Sequence, residues 1–584
     1  MQILKIVFFI ISSIGFYLYT KEKTNIKKEF IPLIIISTIT CIMFLAGILN
    51  FMKITGIILG VIGFYLAIEE IYYIIKNKRK LKIDFNLLIY LIMLCIFAYL
   101  LNDIKVIGYD NFSHWAIIVK DILINDKLPN FTSKVIIFKA YPPGTACFLY
   151  YVCTYIGSSE DIMLFAQSIL ILSSIYTLFA LCTKENKINW LIAILSTIYL
   201  LLGNIFITDL LVDTVLPVMG IAALIIIEYY KEENNKGLIY SIPILSALIL
   251  VKNSGIFFVI IDLIIWLIYY IKNNNIKQIF KTKYIFIILI PILLIFVWKV
   301  HTNLVFDNSN TSKHAMSLTN YINVFNNKTE EDIIYIFKTF INRMFSLSKE
   351  NIIMIALLVG FLVLQIVSNK ESRKNIKFLC LIFLFAYIIY QITLFFTYIF
   401  SMPLGEAKTL SSYTRYNRTI LLFEFGIFII GVLNFINSYN IKTNCKKYII
   451  YFTTFFIIGL TISCAPNKID VLYKRNKNNY NSIRNEIRYK ILDIKNEYNV
   501  EEGKKYLIHI ADNKTSNYSN YIYYVCKYEF MSTNIKVIKN FSELNNINQI
   551  LNYNYLILLT TTEETNQIVN RFGGELDKHV FKIK

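Results

Sequence analysis

The sequence has little charge for its length. Of its 584 residues, only 17% are Asp, Glu, Lys or Arg, against about 25% in a soluble globular protein. A soluble chain of this length divides into domains with polar surfaces. This chain has too few charged residues to form such surfaces. The low charge therefore excludes an ordinary soluble enzyme, and the 56% of hydrophobic residues excludes a disordered chain.

Motifs for structural metals, disulfides and nucleotides are also lacking. The nine cysteines form no CxxC pair, and the five histidines form no HExxH motif, which argues against a zinc site or a disulfide framework. The C-terminal part carries no GxGxxG motif or P-loop. The 59 Lys and Arg against 39 Asp and Glu are typical of the cytoplasmic loops of a membrane protein, so we predict no nucleic-acid partner.

What the chain does have is a series of apolar segments. A helix needs about 20 such residues to span a bilayer, and about fourteen segments qualify. They cover roughly 3–19, 30–50, 54–75, 84–101, 161–182, 189–206, 214–230, 237–251, 255–271, 284–299, 351–368, 378–399, 419–436 and 448–464. The stretch Thr145–Ile156 is too short to span and predicts a re-entrant or interfacial helix.

The charges between these segments alternate. Short basic connections occur at 21–28, 76–82, 184–187, 231–236, 272–283, 370–377 and 442–447, whereas 102–160, 207–213, 300–350 and 400–418 are long or poor in Lys and Arg. Cytoplasmic loops carry the excess of Lys and Arg, so the second set and the C-terminal tail are predicted outside. The abundance of Ile, Asn, Lys and Tyr indicates an AT-rich bacterial genome. Together with the apolar segments, this composition predicts a multi-pass protein of a bacterial cell membrane.

The tail from about residue 470 has a different pattern. The stretches 505–511, 534–539, 553–560 and 579–583 are typical of strands, and those around 515–530, 541–552 and 562–572 are typical of helices. Alternating strands and helices predict a small α/β domain with a mostly parallel sheet.

The strongest local pattern lies in the first long connection, at Gly108-Tyr-Asp-Asn-Phe-Ser-His-Trp-Ala116. This places Asp110, His114 and Trp115 at the membrane surface, just past a predicted helix end. A carboxylate there can act as a general base on a hydroxyl or as a metal ligand, and an aromatic ring can stack on a sugar. The alternative is structural, because Asp110 or Asn111 could cap the helix that follows.

Charged residues also occur at the outer ends of later segments. Asp209 and Asp213 are four residues apart, which predicts that they share a helix face and have a metal, a cation or a substrate as partner. Lys252, Arg415 and Arg418 are cations on the side where cations are rare. Together they predict a bound anion, with phosphate as the natural candidate. The alternatives are capping and solvation for the acids, and snorkelling for the cations.

In their order along the chain, these patterns resemble the GT-C superfamily of polytopic membrane glycosyltransferases, nearest the protein-mannosyltransferase and aminoarabinose-transferase branch. The resemblance covers about residues 84–584 and includes the α/β tail. Its motifs are the acidic Asp110, Tyr141-Pro-Pro-Gly144 followed by Gly157-Ser-Ser-Glu160, the acidic loop with Asp209 and Asp213, and Arg415-Tyr416 before a late helix.

The resemblance implies a GT-C-like polytopic α-helical membrane fold of about fourteen transmembrane helices with an α/β tail. Residues 1–83 then add three N-terminal transmembrane helices, 84–464 form the catalytic domain with outer loops 102–160 and 300–350, and 465–584 form the extracytoplasmic domain. The implied donor is a polyprenyl-phosphate-linked sugar. The implied acceptor is an extracytoplasmic glycan, lipid or protein.

For the reaction, the resemblance implies inverting sugar transfer, with Asp110 as the catalytic base and the leaving phosphate held by cations. The residues expected to bind substrate are His114, Trp115, Tyr141, Asp209, Asp213, Lys252, Arg415, Tyr416 and Arg418. A divalent cation, Mg²⁺ or Mn²⁺, is expected on Asp110, Asp209 and Asp213.

Three other functions fit parts of the sequence. A polysaccharide polymerase also uses outer loops and arginines. A lipid-linked oligosaccharide transporter should carry charges at mid-helix depth and repeated halves, for which Asp262 and Glu424 are the candidates. A non-catalytic scaffold that presents the tail domain leaves the outer acids and cations unexplained.

Overall fold

The computed structural model describes residues 2–78, 84–184, 186–201, 207–274, 284–306, 318–438, 444–464, 482–539, 550–560 and 578–583, with residues 543, 565 and 570. The helices up to residue 464 are α1 (Gln2–Lys23), α2 (Ile31–Ile48), α3 (Met52–Lys76), α4 (Phe85–Leu101), α5 (Ala116–Asn125), α6 (Gly144–Ile156), α7 (Glu160–Tyr176), α8 (Ile188–Tyr199), α9 (Val215–Tyr229), α10 (Asn234–Val251), α11 (Gly255–Asn273), α12 (Tyr284–Val305), α13 (Leu318–Asn326), α14 (Glu330–Met344), α15 (Lys349–Val367), α16 (Lys370–Phe400), α17 (Leu404–Lys408), α18 (Tyr413–Ser438) and α19 (Asn444–Cys464). A π-helical turn, Asn111–Trp115, precedes α5, and a 3₁₀ turn, Thr177–Leu181, follows α7.

The chain is a helical membrane protein. Within the described ranges, nine helices are long and apolar enough to cross a bilayer, namely α1, α2, α3, α7 with its 3₁₀ turn, α11, α12, α15, α16 and α18. Each of the fourteen predicted segments falls on a helix, but α4, α8 and α9 are shorter, as are the apolar parts of α10 and α19, Asn235–Val251 and Lys447–Ser463. Fourteen crossings therefore stay a prediction.

Helix α6 begins directly after Pro142 and Pro143, as predicted. Its 13 residues span about 20 Å, which is too short to cross the membrane. It is almost entirely buried and packs against α2, α5 and α7.

Described residues at three of the short basic connections, 21–28, 231–236 and 370–377, lie close together at one end of the bundle. There Lys28 lies 2.8 Å from Asp84, and the backbone N–H of Lys27 donates to the Tyr230 hydroxyl. The first turns of α16 join them through Asn375, whose amide donates to the Glu228 carboxylate. The described parts of these connections therefore share one end of the bundle, and the alternation along the whole chain stays a prediction.

Helix α18 forms the centre of the bundle and α1 its edge. The apolar window of α18 is 94% buried and that of α1 is 17% buried. The three N-terminal helices are not one separate layer, because α2 packs against α6 and α10 while α1 pairs with α3. The α1–α3 contact is close, since a Cβ at Gly15 would lie 1.9 Å from the Gly63 carbonyl oxygen.

The tail is an α/β domain. It consists of α20 (Ile483–Glu497), β1 (Tyr506–His509), α21 (Asn513–Ser516), α22 (Ser519–Phe530), β2 (Ile535–Ile538), β3 (Tyr555–Leu558) and β4 (Val580–Lys582). The strand order is β2-β1-β3-β4, with β4 antiparallel to β3 and the other pairs parallel. The four predicted strands and the mostly parallel sheet are confirmed. The helices predicted at 541–552 and 562–572 lie almost entirely outside the described residues.

Candidate functional site

A cavity of about 270 Å³ lies at the end of the bundle opposite the basic connections. It is lined by Tyr109, Asp110, His114, Trp115, Phe138, Tyr141, Asp213, Lys252, Met402, Glu406, Ser411, Ser412, Arg415 and Tyr416. Most of the predicted site residues are therefore neighbours, although they come from four distant parts of the chain. We call Asp213, Lys252, Arg415 and Tyr416 the bundle half of the cavity. Asp110, His114, Trp115, Phe138 and Tyr141 are the loop half.

Lys252 is placed by the sharp turn between α10 and α11. It ends α10 in an extended conformation, with φ −163° and ψ 152°. Its carbonyl accepts from the N–H of Gly255, the first residue of α11. The helices approach so closely that a Cβ at Gly255 would lie 2.4 Å from the Leu248 carbonyl oxygen. The turn thus needs glycine there and directs Lys252 into the cavity.

Asp213 lies in the turns that precede α9, and it is paired with both cations of the cavity. Its Oδ1 lies 2.7 Å from Lys252 Nζ, and its Oδ2 lies 3.5 Å from Arg415 Nε. Burial tends to raise the pKa of Asp213, but the charges of Lys252 and Arg415 outweigh it and lower the pKa. Burial tends to lower the pKa of Lys252, but the Asp213 carboxylate raises it.

The Arg415 guanidinium joins the two halves of the cavity. On the loop side its Nη1 donates to Asp110 Oδ2, and on the bundle side its Nε faces Asp213. Arg415 also lies 5.4 Å from the centre of the Tyr416 ring, and Lys252 lies 5.7 Å from it. Neither cation snorkels to headgroups, because each is turned to carboxylates inside the cavity.

Asp110 is held at the start of the π-helical turn, a feature that is frequent at functional sites. Its side chain makes no capping hydrogen bond. Asn111 does not cap the helix either, because its amide donates to Gly108 O and Asp209 and its oxygen accepts from the N–H of Leu210. The capping alternative is therefore wrong, and Asp110 points to Arg415 instead.

Aromatic rings form the wall beside Asp110. Trp115 and Tyr141 are stacked with an interplanar angle of 12°. The His114 ring lies against Phe138 with centroids 4.0 Å apart. Burial lowers the pKa of His114 to about 3, so its imidazole is neutral at physiological pH. A neutral wall of stacked rings beside charged groups suits a sugar, which presents both apolar faces and hydroxyls.

Asp209 does not line the cavity. Its Oδ1 accepts from the Asn111 amide at 2.7 Å and from the N–H of Gly108. A Cβ at Gly108 would lie 2.7 Å from that oxygen, so glycine permits the contact. The prediction that Asp209 and Asp213 share a helix face is wrong, because the described residues 207–214 form turns and α9 begins only at Val215. Asp209 therefore binds Gly108 and Asn111 beside Asp110, and Asp213 binds Lys252 and Arg415.

Arg418 lies one turn beyond Arg415 and also stays outside the main cavity. Its Nη2 donates to Glu350 Oε1 at 2.9 Å, and it lines a small neighbouring cavity together with Asp213 and Arg415. Two of the three predicted cations therefore reach the site. Glu350, which binds the third, was not predicted.

The three acids predicted to bind a divalent cation do not meet at one point. Asp110 and Asp213 are each bound to a cationic side chain, and Asp209 lies outside the cavity. Across the part of the chain that the structure describes, no group of three His, Cys, Asp or Glu side chains could hold a metal ion. These residues do not fit a shared ion, and a divalent cation stays a prediction.

One side of the cavity was not predicted from any local sequence pattern. This side is the segment 401–412, which contributes Met402, Glu406, Ser411 and Ser412. Leu410 and Ser412 both have positive φ, at 47° and 63°, a strain that clusters at functional sites. Glu406 gives the cavity a third carboxylate.

No family model, curated protein or solved structure matches this chain. The resemblance to the GT-C superfamily therefore stays a prediction. The function has to be argued from the cavity.

Proposed function

We propose that this protein is a membrane glycosyltransferase. It moves a sugar from a polyprenyl-phosphate-linked donor to a hydroxyl of an extracytoplasmic glycan, lipid or protein, with inversion at the anomeric carbon. The observation that carries the proposal is the cavity itself. A carboxylate, a wall of stacked rings and two cations meet there at one end of a membrane-embedded bundle.

The chemistry assigns one task to each half of the cavity. The acceptor oxygen attacks the anomeric carbon, and its proton passes to the Asp110 carboxylate as general base. The bond between the anomeric carbon and the phosphate oxygen breaks, and its electron pair leaves with the phosphate. Lys252 and Arg415 stabilise the charge that develops on this leaving group.

The charge balance limits which donor fits. Lys252 and Arg415 are the two cations of the cavity, and both are already paired with carboxylates. A Lys side chain carries three N–H donors and an Arg side chain carries five. The donors that are not used by carboxylates can therefore bind one phosphate. A donor with a single phosphate is therefore favoured over one with a diphosphate.

The lipid chain of the donor has an apolar cavity beside the site. A space of about 530 Å³ lies between α13 and the end of α16, lined mainly by Leu318, Ile322, Phe325, Phe396 and Phe400. It ends at Ser401, the neighbour of Met402 in the site cavity. This adjacency suits a molecule that is apolar at one end and charged at the other.

The test is sugar release from a defined donor. Purified full-length protein is incubated with a panel of polyprenyl-phosphate sugars, and free polyprenyl phosphate and transferred or hydrolysed sugar are measured. We expect turnover of at least one donor, with loss of the activity in Asp110→Asn. Absence of binding and turnover for every donor would reject the proposal.

The proposal also places the cavity outside the cell. The test is a membrane-impermeant thiol reagent on intact cells, with Lys504→Cys in the exposed part of the tail and Lys374→Cys at the basic end. We expect label on position 504 before permeabilisation and on position 374 only after it. Label on position 374 before permeabilisation, and on position 504 only after it, would show that the cavity faces the cytoplasm.

A lipid-linked oligosaccharide transporter is the second candidate. It is favoured by Asp262 and Glu424, which lie fully buried inside α11 and α18, where neither carboxylate has a hydrogen-bond partner among the described residues. Such groups are costly in the membrane and typical of transport pathways. Asp262→Asn and Glu424→Gln should leave sugar transfer unchanged if the protein is a glycosyltransferase, and should abolish substrate movement if it is a transporter.

A further inference from the structure

The segment that carries Asp110 is held from behind by the tail domain. The Tyr521 hydroxyl donates to the Ile107 carbonyl at 2.8 Å. The Tyr109 ring meets Tyr524 edge to face, with centroids 4.8 Å apart. Just beyond Asp110, the buried Phe112 ring packs against Tyr521 and Tyr528. The α22 helix of the tail domain therefore contacts this segment on both sides of Asp110.

Arg488 of α20 is the charged centre of this contact. Its side chain is 0% exposed, and its guanidinium donates to Glu160 at the start of α7 and to Glu529 at the end of α22. Its Nε donates to the Val106 carbonyl at 3.3 Å, and its Cζ lies 5.0 Å from the Phe112 ring centre. One side chain thus binds the bundle, the tail domain and both flanks of the Asp110 segment.

The ion group around Arg488 needs the two domains to be docked. A buried guanidinium is costly unless carboxylates and hydrogen bonds compensate for its lost hydration. Here one carboxylate comes from each domain. Glu160 also fixes the loop directly, because its Oε2 accepts from the N–H of Val106 at 2.8 Å. Lys495 lies 3.4 Å from Glu529 and adds a second cation.

A second contact reaches the aromatic wall of the cavity. Lys527 of α22 is completely buried, and its Nζ donates to the Val135 carbonyl at 2.9 Å. Val135 lies three residues before Phe138 in the wall. The loop half of the cavity is thus held by the tail domain at both of its segments, whereas the bundle half lies on helix ends.

We infer that Arg488 is a positioning residue for Asp110: it couples the C-terminal domain to the loop half of the cavity and so sets where the acidic group lies relative to Arg415. In this inference the tail domain supports the position of the loop half and does not merely lie beside the site. The inference concerns geometry and can be tested without a substrate. Its consequence for turnover rests on the proposed function.

The test is hydrogen exchange of the full-length protein in nanodiscs. Arg488→Met leaves Glu160 and Glu529 buried without their shared partner, and this variant can fail to fold. The main variant is therefore Arg488→Met/Glu160→Gln/Glu529→Gln, in which Arg488 and both of its carboxylate partners become neutral, while Lys495 keeps Glu502 at 2.8 Å as its partner. Arg484→Met is the matched control, because Arg484 lies one turn earlier on α20, is exposed and stacks on the Tyr521 ring.

We expect backbone amides of 104–118 to exchange at least tenfold faster in the triple variant, with 207–214 and 251–256 of the bundle half unchanged. Arg484→Met should match the wild type in both regions. Unchanged exchange at 104–118 would overturn the inference. Equal acceleration in both regions would overturn it as well, because Arg488 would then support the whole protein and not the loop half.

Turnover supplies a second measurement that separates positioning from general stability. If a donor is found, the triple variant should lower turnover at least tenfold and lower donor affinity much less, since the cations that bind the phosphate lie on the bundle half. Equal loss of affinity and turnover would contradict the inference. A wild-type protein that transfers no sugar would reject the proposed function, while the exchange result would still decide the role of Arg488.

Discussion

The two halves of the cavity are fixed by different parts of the molecule. In the bundle half, Lys252 ends one helix and Arg415 lies in the first turn of another, so the packed bundle determines their positions. In the loop half, Asp110 and Trp115 lie on a connection that the tail domain holds through Arg488 and Lys527. Because the two halves are held by different parts of the molecule, anion binding and proton transfer should respond to different mutations.

Arg415 faces a carboxylate in each half of the cavity, Asp110 and Asp213, so its loss should have the largest effect. Arg415→Met removes the cation shared by Asp110 and Asp213 and one donor to the leaving phosphate. We expect donor affinity to fall at least tenfold, since a charge-assisted contact contributes about 1.5–3 kcal/mol, and turnover to fall about 10²–10³-fold. Equilibrium binding and steady-state transfer measure the two effects.

Arg418→Met is the control for this change. Arg418 lies one turn away and is paired with Glu350 at the edge of the site. A pair of this exposure contributes up to about 1 kcal/mol to stability. Equal losses in Arg415→Met and Arg418→Met would remove the bridging role from Arg415.

Lys252→Met should mainly break the bundle half, because Lys252 is bound to Asp213 at 2.7 Å and meets the loop half at the Trp115 and Tyr141 rings, whose centres lie 6.0 Å away. Asp213 is buried, and Lys252 is its closest cation. Loss of one partner of a buried pair costs about 3–5 kcal/mol, and we expect the lower end because Arg415 remains near Asp213. Denaturation in detergent measures the change. Lys252→Met/Asp213→Asn should recover most of the stability, and a double variant no more stable than the single one would argue against the pair.

His114 should make the loop half sensitive to acid. Its pKa is lowered to about 3 in the folded protein, against about 6.5 in the unfolded chain. Below pH 6.5 the unfolded chain binds a proton that the folded protein does not, so the contribution of His114 to stability is complete above pH 6.5 and is lost as the pH falls towards 3.

His114→Phe keeps the stacked ring and removes this titration. The free energy of unfolding of the variant should therefore fall less than that of the wild type between pH 6.5 and 4, and run parallel to it above pH 7. Chemical denaturation across this range compares the two proteins. Parallel curves below pH 6.5 would show that His114 is not held neutral by burial.

The smallest effect is expected at Asp209, which lies behind the loop half. Asp209→Asn keeps an oxygen that can accept from Asn111 and Gly108. Turnover and donor affinity should stay within about twofold of the wild type, because the substitution keeps these hydrogen bonds. A loss of turnover comparable to that of Asp110→Asn would contradict this prediction and show that Asp209 takes part in the reaction.

Much of this architecture could be predicted from local patterns. Apolar segment length predicted the helices, and short stretches with the composition typical of strands predicted elements such as Tyr506–His509. Lys252 and Arg415 were found because they are cations on the side where cations are rare. These signals lie within a few residues of the feature that they predict.

The parts that were missed depend on contacts between distant residues. Asp209 and Asp213 have helical spacing, but the chain forms turns there, so one acid faces the loop and the other faces the cations. Arg488 and Glu160 are 328 residues apart, and no local pattern connects them. Glu406 enters the cavity only because the segment 401–412 folds over it.

The most direct test of the central claim is to measure donor binding and single-turnover transfer side by side in Asp110→Asn. Asn caps helices about as well as Asp, and Asp110 makes no capping bond, so the variant should fold. Asp103→Asn is the control on the same loop. If Asp110 is the base, Asp110→Asn should bind the donor at least as well as the wild type and transfer about 10²–10⁴-fold more slowly. Transfer at a rate near that of the wild type would contradict the account and remove Asp110 from the reaction.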